Sequence, residues 1–105
     1  MIYEFGKTSF KNFVWLKSGA LFKNPGGLDV EMSTNGAYGL EVYKLDGTLA
    51  GKSKRPNEHG GWASFYFRNG GDFGGVIFNG EYKIKLTNLA SGRREAKQGQ
   101  LSYDE

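Results

Sequence analysis

The chain contains no cysteine, two prolines and one histidine. Without cysteine there are no disulfides and no thiolate metal sites. One histidine cannot supply the three or four nitrogen or sulfur ligands of an ordinary transition-metal centre. Long apolar runs are also missing. The longest are a few residues, against the ~20 that a helix needs to cross a bilayer. The opening Met1-Ile2-Tyr3-Glu4-Phe5 has neither the basic start nor the apolar stretch of a signal peptide. The chain is therefore expected to be an intracellular protein or to begin at a mature end. Charge of one sign is scarce as well: Lys and Arg number 14 and Asp and Glu 11, for a net +3 and an isoelectric point near 9.2. A mildly basic surface favours nucleic acid, teichoic acid or acidic lipid, but it is also ordinary solubility charge.

Glycine and aromatic residues are plentiful. There are 17 glycines, and aromatics make up 15% of 105 residues. Glycine without proline, spread between aromatic and β-branched segments, reads as turns between strands. The length suits one domain, residues 1–105, since domains commonly run to ~100–150 residues. Apolar residues alternate with polar ones along much of the chain, and no segment carries a convincing helical period. Phe10 to Leu16 is apolar on nearly both faces and predicts a central strand. Leu21-Phe22 predicts a short strand ending in a turn at Asn24-Pro25-Gly26-Gly27. Leu28, Val30 and Met32 alternate with Asp29, Glu31 and Ser33, and Asn35-Gly36 signals a hairpin into Tyr38 to Tyr43. Asp46-Gly47 turns into Thr48-Leu49-Ala50. Gly51 to Gly61 reads as a solvated loop, Trp62 to Arg68 as a strand, and Asn69 to Gly75 as a glycine loop. Tyr82, Ile84 and Leu86 alternate in another strand, Asn88 to Gly99 is polar, and Gln100 to Tyr103 closes the domain. About seven to nine short strands at regular spacing predict an all-β antiparallel β-sandwich, jelly-roll-like, with a meander at its centre.

Within this pattern, "YGLEVYKLDGTLAGKS" (Tyr38 to Ser53), "GEYKIKLTN" (Gly80 to Asn88) and "GQLSYD" (Gly99 to Asp104) follow one another in an order that resembles the bacterial pre-peptidase C-terminal type of domain and its jelly-roll relatives. The resemblance spans Leu28 to Asp104. It implies a β-sandwich attached to secreted enzymes, in some cases binding polysaccharide or protein. It carries over no site residues.

Few constellations in the chain support chemistry. His59 with Ser64 or Ser53 and Asp72 would be the raw material of a triad, but no nucleophile elbow surrounds either serine. Glu31, Glu41, Glu58, Asp72 and Glu81 offer carboxylates, yet no spacing among them selects the facing pair that a glycosidase needs. "NGGDFGG" brings one calcium ligand, Asp72, where several oxygens are required. No catalytic residue, metal or cofactor is expected.

Binding residues are easier to nominate. In the strand after Gly61, Ala63, Phe65 and Phe67 share one face, and Trp62, Ser64, Tyr66 and Arg68 share the other. Tyr43 and Trp15 likewise lie opposite core positions. Aromatic rings exposed on a sheet surface stack on sugars or bases, whereas rings beneath loops or a second sheet are simply core. Lys83, Lys85, Arg93 and Arg94 form the densest basic group, which reads as a contact for an anionic polymer or as lysine protection of a sheet edge. "GWASFYF" resembles the aromatic strand of single-strand RNA binders, although Ser64 stands where a ring should stack and no helices accompany it. The leading expectation is a non-catalytic binding module, extracellular or at the cell surface. It would recognise a glycan, an anionic cell-surface polymer or a protein through Trp62, Tyr66, Arg68, Tyr43 and Trp15. The alternatives are a small β-barrel binding single-stranded nucleic acid, and a secreted effector, inhibitor or virion protein acting through the loops Gly51–Gly61 and Asn69–Gly75.

Overall fold

In the computed structural model, which describes residues 1–55, 60–68 and 71–104, every strand pairing is antiparallel. The strands are β1 (Ile2–Phe5), β2 (Thr8–Phe10), β3 (Phe13–Trp15), β4 (Phe22–Met32), β5 (Tyr38–Lys44), β6 (Leu49–Arg55), β7 (Gly61–Tyr66), β8 (Glu81–Asn88) and β9 (Arg94–Asp104), with a 3-10 turn at Leu16–Gly19. β4 organises the rest. Its residues 27–32 are flanked by β7 on one side and β9 on the other, while Phe22 and Lys23 pair with Tyr82 and Glu81 of β8. The network thus folds into two layers joined through β4. The first layer runs β1 and β2, then β9, β4 and β7. The second runs β3, β8, β5 and β6. This is the expected all-β, sandwich-like architecture.

Alternating side chains fill the space between the layers. Leu28 and Val30 of β4, Leu40 and Val42 of β5, Ile84 and Leu86 of β8, Phe65 of β7 and Leu101 of β9 are buried in a single core cluster. Each such side chain contributes about 1.5–3 kcal/mol by leaving water. Tyr38 and Phe65 meet edge to face across the layers, 6.1 Å between ring centres. At one end Phe67, Phe73, Phe78 and Tyr82 form a chain of contacting rings spaced 4.7 to 5.4 Å apart. Gly51 of β6 makes room for it, since a Cβ there would lie 2.8 Å from Phe78.

Four local expectations are corrected by the pairings. Asn24-Pro25-Gly26-Gly27 is not a turn but an irregularity inside β4, where pairing with β9 jumps from Lys23 to Gly27. Asn24 adopts φ 45°, and Pro25 has no amide to donate to a ladder. The Asn24 backbone and side chain both bond to Gly80, at 2.7 Å each, so the bend is anchored to the start of β8. Second, Phe10 to Leu16 is not one central strand. It breaks at Lys11-Asn12, leaving β2 on the β9 edge of one layer and β3 on the β8 edge of the other. Third, Asn35-Gly36 does not close a hairpin. β4 and β5 lie in different layers, so the central meander keeps only its β5–β6 hairpin. Fourth, two stretches read as polar loops are strands: Gly51 to Arg55 belongs to β6, and Arg94 to Gly99 opens β9. Their solvent-facing residues dilute the apolar signal.

Candidate functional site

The outward face of the first layer is a polar sheet framed by two aromatic rings. β7 alternates strictly: Phe65 and the following Phe67 enter the core, whereas Trp62 and Tyr66 point out, 58% and 60% exposed. Register brings Trp62 opposite Glu31, Ser64 opposite Asp29 and Tyr66 opposite Gly27 on β4. The next step places Gln98 beside Glu31, Gln100 beside Asp29 and Ser102 beside Gly27 on β9. Glu4 and Ile2 of β1 complete the rows, opposite Gln100 and Ser102. Hydrogen bonds tie the rows together. The Ser64 hydroxyl donates to Asp29 Oδ1 at 2.6 Å, Gln100 Nε2 to Asp29 Oδ2 at 3.4 Å, and Gln98 Nε2 to Glu31 Oε1 at 2.9 Å. Sequence reading nominated Trp62 and Tyr66 for binding and weighed Glu31 only as a carboxylate for catalysis; it did not nominate Asp29, Gln98 or Gln100. Alternation in β4 marked its two carboxylates as outward, but only register reveals the amides beside them.

Two shallow depressions lie on this face. One of about 410 Å³ lies beside Trp62 and is lined by Glu4, Phe5, Lys97, Gln98 and Gln100. The other, about 240 Å³, lies beside Tyr66 among Ile2, Gly27, Asp29, Gln100 and Ser102. Gln100 belongs to both. Arg68 lies beyond Phe67 at the far end. Its guanidinium is 3.7 Å from Asp104 and donates to the Asn24 carbonyl at 3.2 Å, so its charge is already matched.

Trp15 and Tyr43 are not part of this face. They meet on the outside of the second layer, 5.5 Å between ring centres, with Phe13 against Trp15 at 6.2 Å. Lys85 occupies the middle of that group. Its ammonium stands 4.4 Å from the centre of Phe13, 4.9 Å from Tyr43 and 5.2 Å from Trp15, and 3.4 Å from Glu41 Oε1. The Tyr43 hydroxyl donates to the same Glu41 oxygen at 2.5 Å. That hydrogen bond, with burial adding to it, raises the Tyr43 hydroxyl above its ordinary pKa.

The basic group is dispersed. Lys85 is held by three rings and a carboxylate. Arg94 is folded inward, 7% exposed, because strand β9 begins at this residue and turns it toward the core side beneath Gly36. Arg93 is exposed and reaches Ser9 Oγ at 3.5 Å, on the other layer from the half-buried Lys83. These four residues form no common surface for a polyanion.

Nothing in the described arrangement assembles a catalytic or metal centre. Ser64 is committed to Asp29. Asp72 pairs with Arg55 at 3.2 Å and accepts the Tyr66 amide at 2.7 Å. His59 and Glu58 lie outside the described residues, as do residues 56, 57, 69 and 70 of the two glycine-containing stretches. Among the described residues no group of three His, Asp or Glu side chains gathers to hold a metal. No helix there is long and apolar enough to cross a membrane.

In sequence, no protein-family model and no curated protein matches the chain. In three dimensions the chain is similar to FlgD from Xanthomonas campestris, a protein described with the hook capping essential for flagellar assembly. The TM-score is 0.51 at 17% identity, over 89% of this chain and 71% of the FlgD chain. At that identity the likeness is one of fold.

Proposed function

We propose that the protein is a non-catalytic glycan-binding module, and that its binding surface is the outer face of the β7–β4–β9–β1 layer. The observation that carries this reading is the pair of rings, Trp62 and Tyr66, both more than half exposed on one side of a regular strand. Large exposed rings on one sheet face supply apolar area and a stacking surface for a ligand. Between them stands a row of hydrogen-bonding groups already oriented by one another, Ser64–Asp29–Gln100. Ring stacking plus positioned acceptors and amides is the chemistry that holds sugars: the apolar face of a pyranose lies on the ring, and its hydroxyls donate to carboxylate oxygens. A rigid sheet presents these groups with little ordering cost on binding. The module would act at a surface where polysaccharide is available, which agrees with the extracellular or cell-surface location expected from the sequence.

The test is a glycan and polymer binding screen with wild type and Trp62→Ala in parallel. The proposal expects at least one glycan retained by wild type and weakened roughly tenfold in the variant, about 1.4 kcal/mol. Equal binding by both proteins, or none by either, removes the reading.

A second reading, a protein-contact module, is favoured by a different feature. Ile77 is 83% exposed at the tip of the loop after Phe73, next to a depression shared with Val76, Arg68 and Asp104. The FlgD-like fold supports it, since that protein is described with hook capping. It predicts that Ile77→Asp abolishes a partner complex that Trp62→Ala leaves intact.

A further inference from the structure

We infer that the ligand of this face is an uncharged polysaccharide chain laid lengthwise along β7, with Trp62 and Tyr66 contacting different sugar rings. The inference rests on the glycan reading and specifies its ligand.

The first argument is separation. Trp62 and Tyr66 are four residues apart on one strand, and at ~3.3 Å per residue their backbone positions are about 13 Å apart. A single sugar ring cannot lie on both side chains. Between them runs the Ser64–Asp29–Gln100 row, so a chain leaving one ring crosses hydrogen-bonding groups before it reaches the other. The two depressions are adjacent and share Gln100. Each is lined by one of the two rings, so the face offers two neighbouring positions for sugar units rather than one.

The second argument is charge. The whole chain carries +3, but this face carries the opposite sign. Glu4, Asp29 and Glu31 lie in its rows. Among the described residues, the cations near it are Lys97, which lines the depression beside Trp62, Arg68, which is paired with Asp104, and the Met1 ammonium beside Ile2, which donates to the Tyr103 carbonyl. A sulfated or carboxylated polymer, or a nucleic acid, would bring anions against three carboxylates with no free guanidinium among them. An uncharged chain meets no such repulsion. Asp29 and Glu31 each receive hydrogen bonds from neighbouring side chains and keep further lone pairs for hydroxyl donors, while Gln98 and Gln100 keep their carbonyl oxygens.

The experiment is calorimetric titration of the full chain with cello-, xylo-, malto- and N-acetylchito-oligosaccharides of one to six units, with heparin and oligogalacturonate as charged probes. Trp62→Ala and Tyr66→Ala are run alongside, after thermal melting has shown that both variants fold. The expected result is a neutral series whose affinity climbs by roughly tenfold or more from monosaccharide to hexamer, unaffected by salt. Each variant should lower hexamer affinity by roughly five- to tenfold, the worth of one stacked ring. A neutral sugar bound equally well at every length, with binding lost in Trp62→Ala, overturns the lengthwise chain and leaves the glycan reading standing. Preference for heparin or oligogalacturonate, weakening steeply with salt, overturns the uncharged ligand. No binding to any probe overturns both this inference and the glycan reading.

Discussion

Lys85 and Glu41 face each other across the β8–β5 pair, with Nζ 3.4 Å from Oε1 and both side chains largely covered. Three rings enclose the ammonium, so Lys85 clamps the short edge strand β3, which supplies Phe13 and Trp15, onto the sheet. Replacing it with alanine leaves the partly covered Glu41 without its cation, held by the Tyr43 hydroxyl, and removes three cation–ring contacts, each worth ~0.5–2 kcal/mol. Lys85→Ala is expected to lose about 2–3 kcal/mol in urea unfolding. Lys85→Arg, which keeps the charge, should lose less. A loss below ~0.5 kcal/mol, the figure for an exposed pair, would show that the clamp is not energetically coupled.

Tyr43 shares Glu41 with Lys85, and its hydroxyl proton is held by that hydrogen bond. Because the folded-state pKa is raised above 10.0, the unfolded chain deprotonates first as pH rises. The stability that this bond contributes is complete below pH ~10 and declines from there up to the folded-state value. Ultraviolet titration of wild type should show a late tyrosine step that is lost in Tyr43→Phe. The decline of stability above pH ~10 should be shallower in Tyr43→Phe than in wild type. Identical alkaline profiles would contradict the assignment.

Arg94 is a buried cation with little to hold it. Nη2 donates to the Ser91 carbonyl at 2.9 Å, while Nε and Nη1 have no partner among the described residues. Burying unpaired donors costs free energy, and an apolar side chain of similar length avoids that cost. Arg94→Met is therefore expected to be neutral or to stabilise by roughly 1 kcal/mol in thermal melting. A loss beyond ~3 kcal/mol, the scale of a broken buried ion pair, would reveal a partner for the guanidinium.

Gly36 lies against that same guanidinium at φ 123°, and a Cβ on it would collide with Nη1. Gly36→Ala combines backbone strain with a steric conflict and should cost about 2 kcal/mol or more. Part of the cost belongs to the pair. In a double-mutant cycle, Arg94→Met should return the steric share while the strain at φ 123° remains. Strict additivity would place the conflict elsewhere.

Asp72 substitutes for a strand on the outer edge of β7. It accepts the Tyr66 amide and returns its own amide to the Tyr66 carbonyl at 2.9 Å, while Arg55 bridges Asp72 and the Ser64 carbonyl and stacks on Phe65. Asp72→Ala should leave the Tyr66 amide exposed to solvent and leave Arg55 without its carboxylate. Its hydrogen exchange is expected to accelerate by roughly tenfold while core amides of β8 are unchanged. Uniform acceleration across the protein would instead indicate global destabilisation.

Much of this molecule is legible in residue order, because a strand's two faces are set by alternation alone. Leu28-Val30-Met32, Leu40-Val42 and Ile84-Leu86 declare the core from local pattern, and the β7 alternation sends Trp62 and Tyr66 to the opposite side from Phe65. Composition likewise excludes disulfides and thiolate metal sites, since the required atoms are not in the chain. What alternation cannot supply is which strand lies beside which. Pairing depends on contacts between residues far apart in sequence, such as Glu31 with Gln98 or Phe13 with Thr87. Tertiary structure alone therefore separated Trp15 and Tyr43 from Trp62 and placed them on another face. It also turned Arg94 inward, enclosed Lys85 in rings, and gathered Asp29, Glu31, Gln98 and Gln100 between the exposed rings. The net positive charge is a sum over residues and has no position. Register across four strands gave the aromatic face its negative sign.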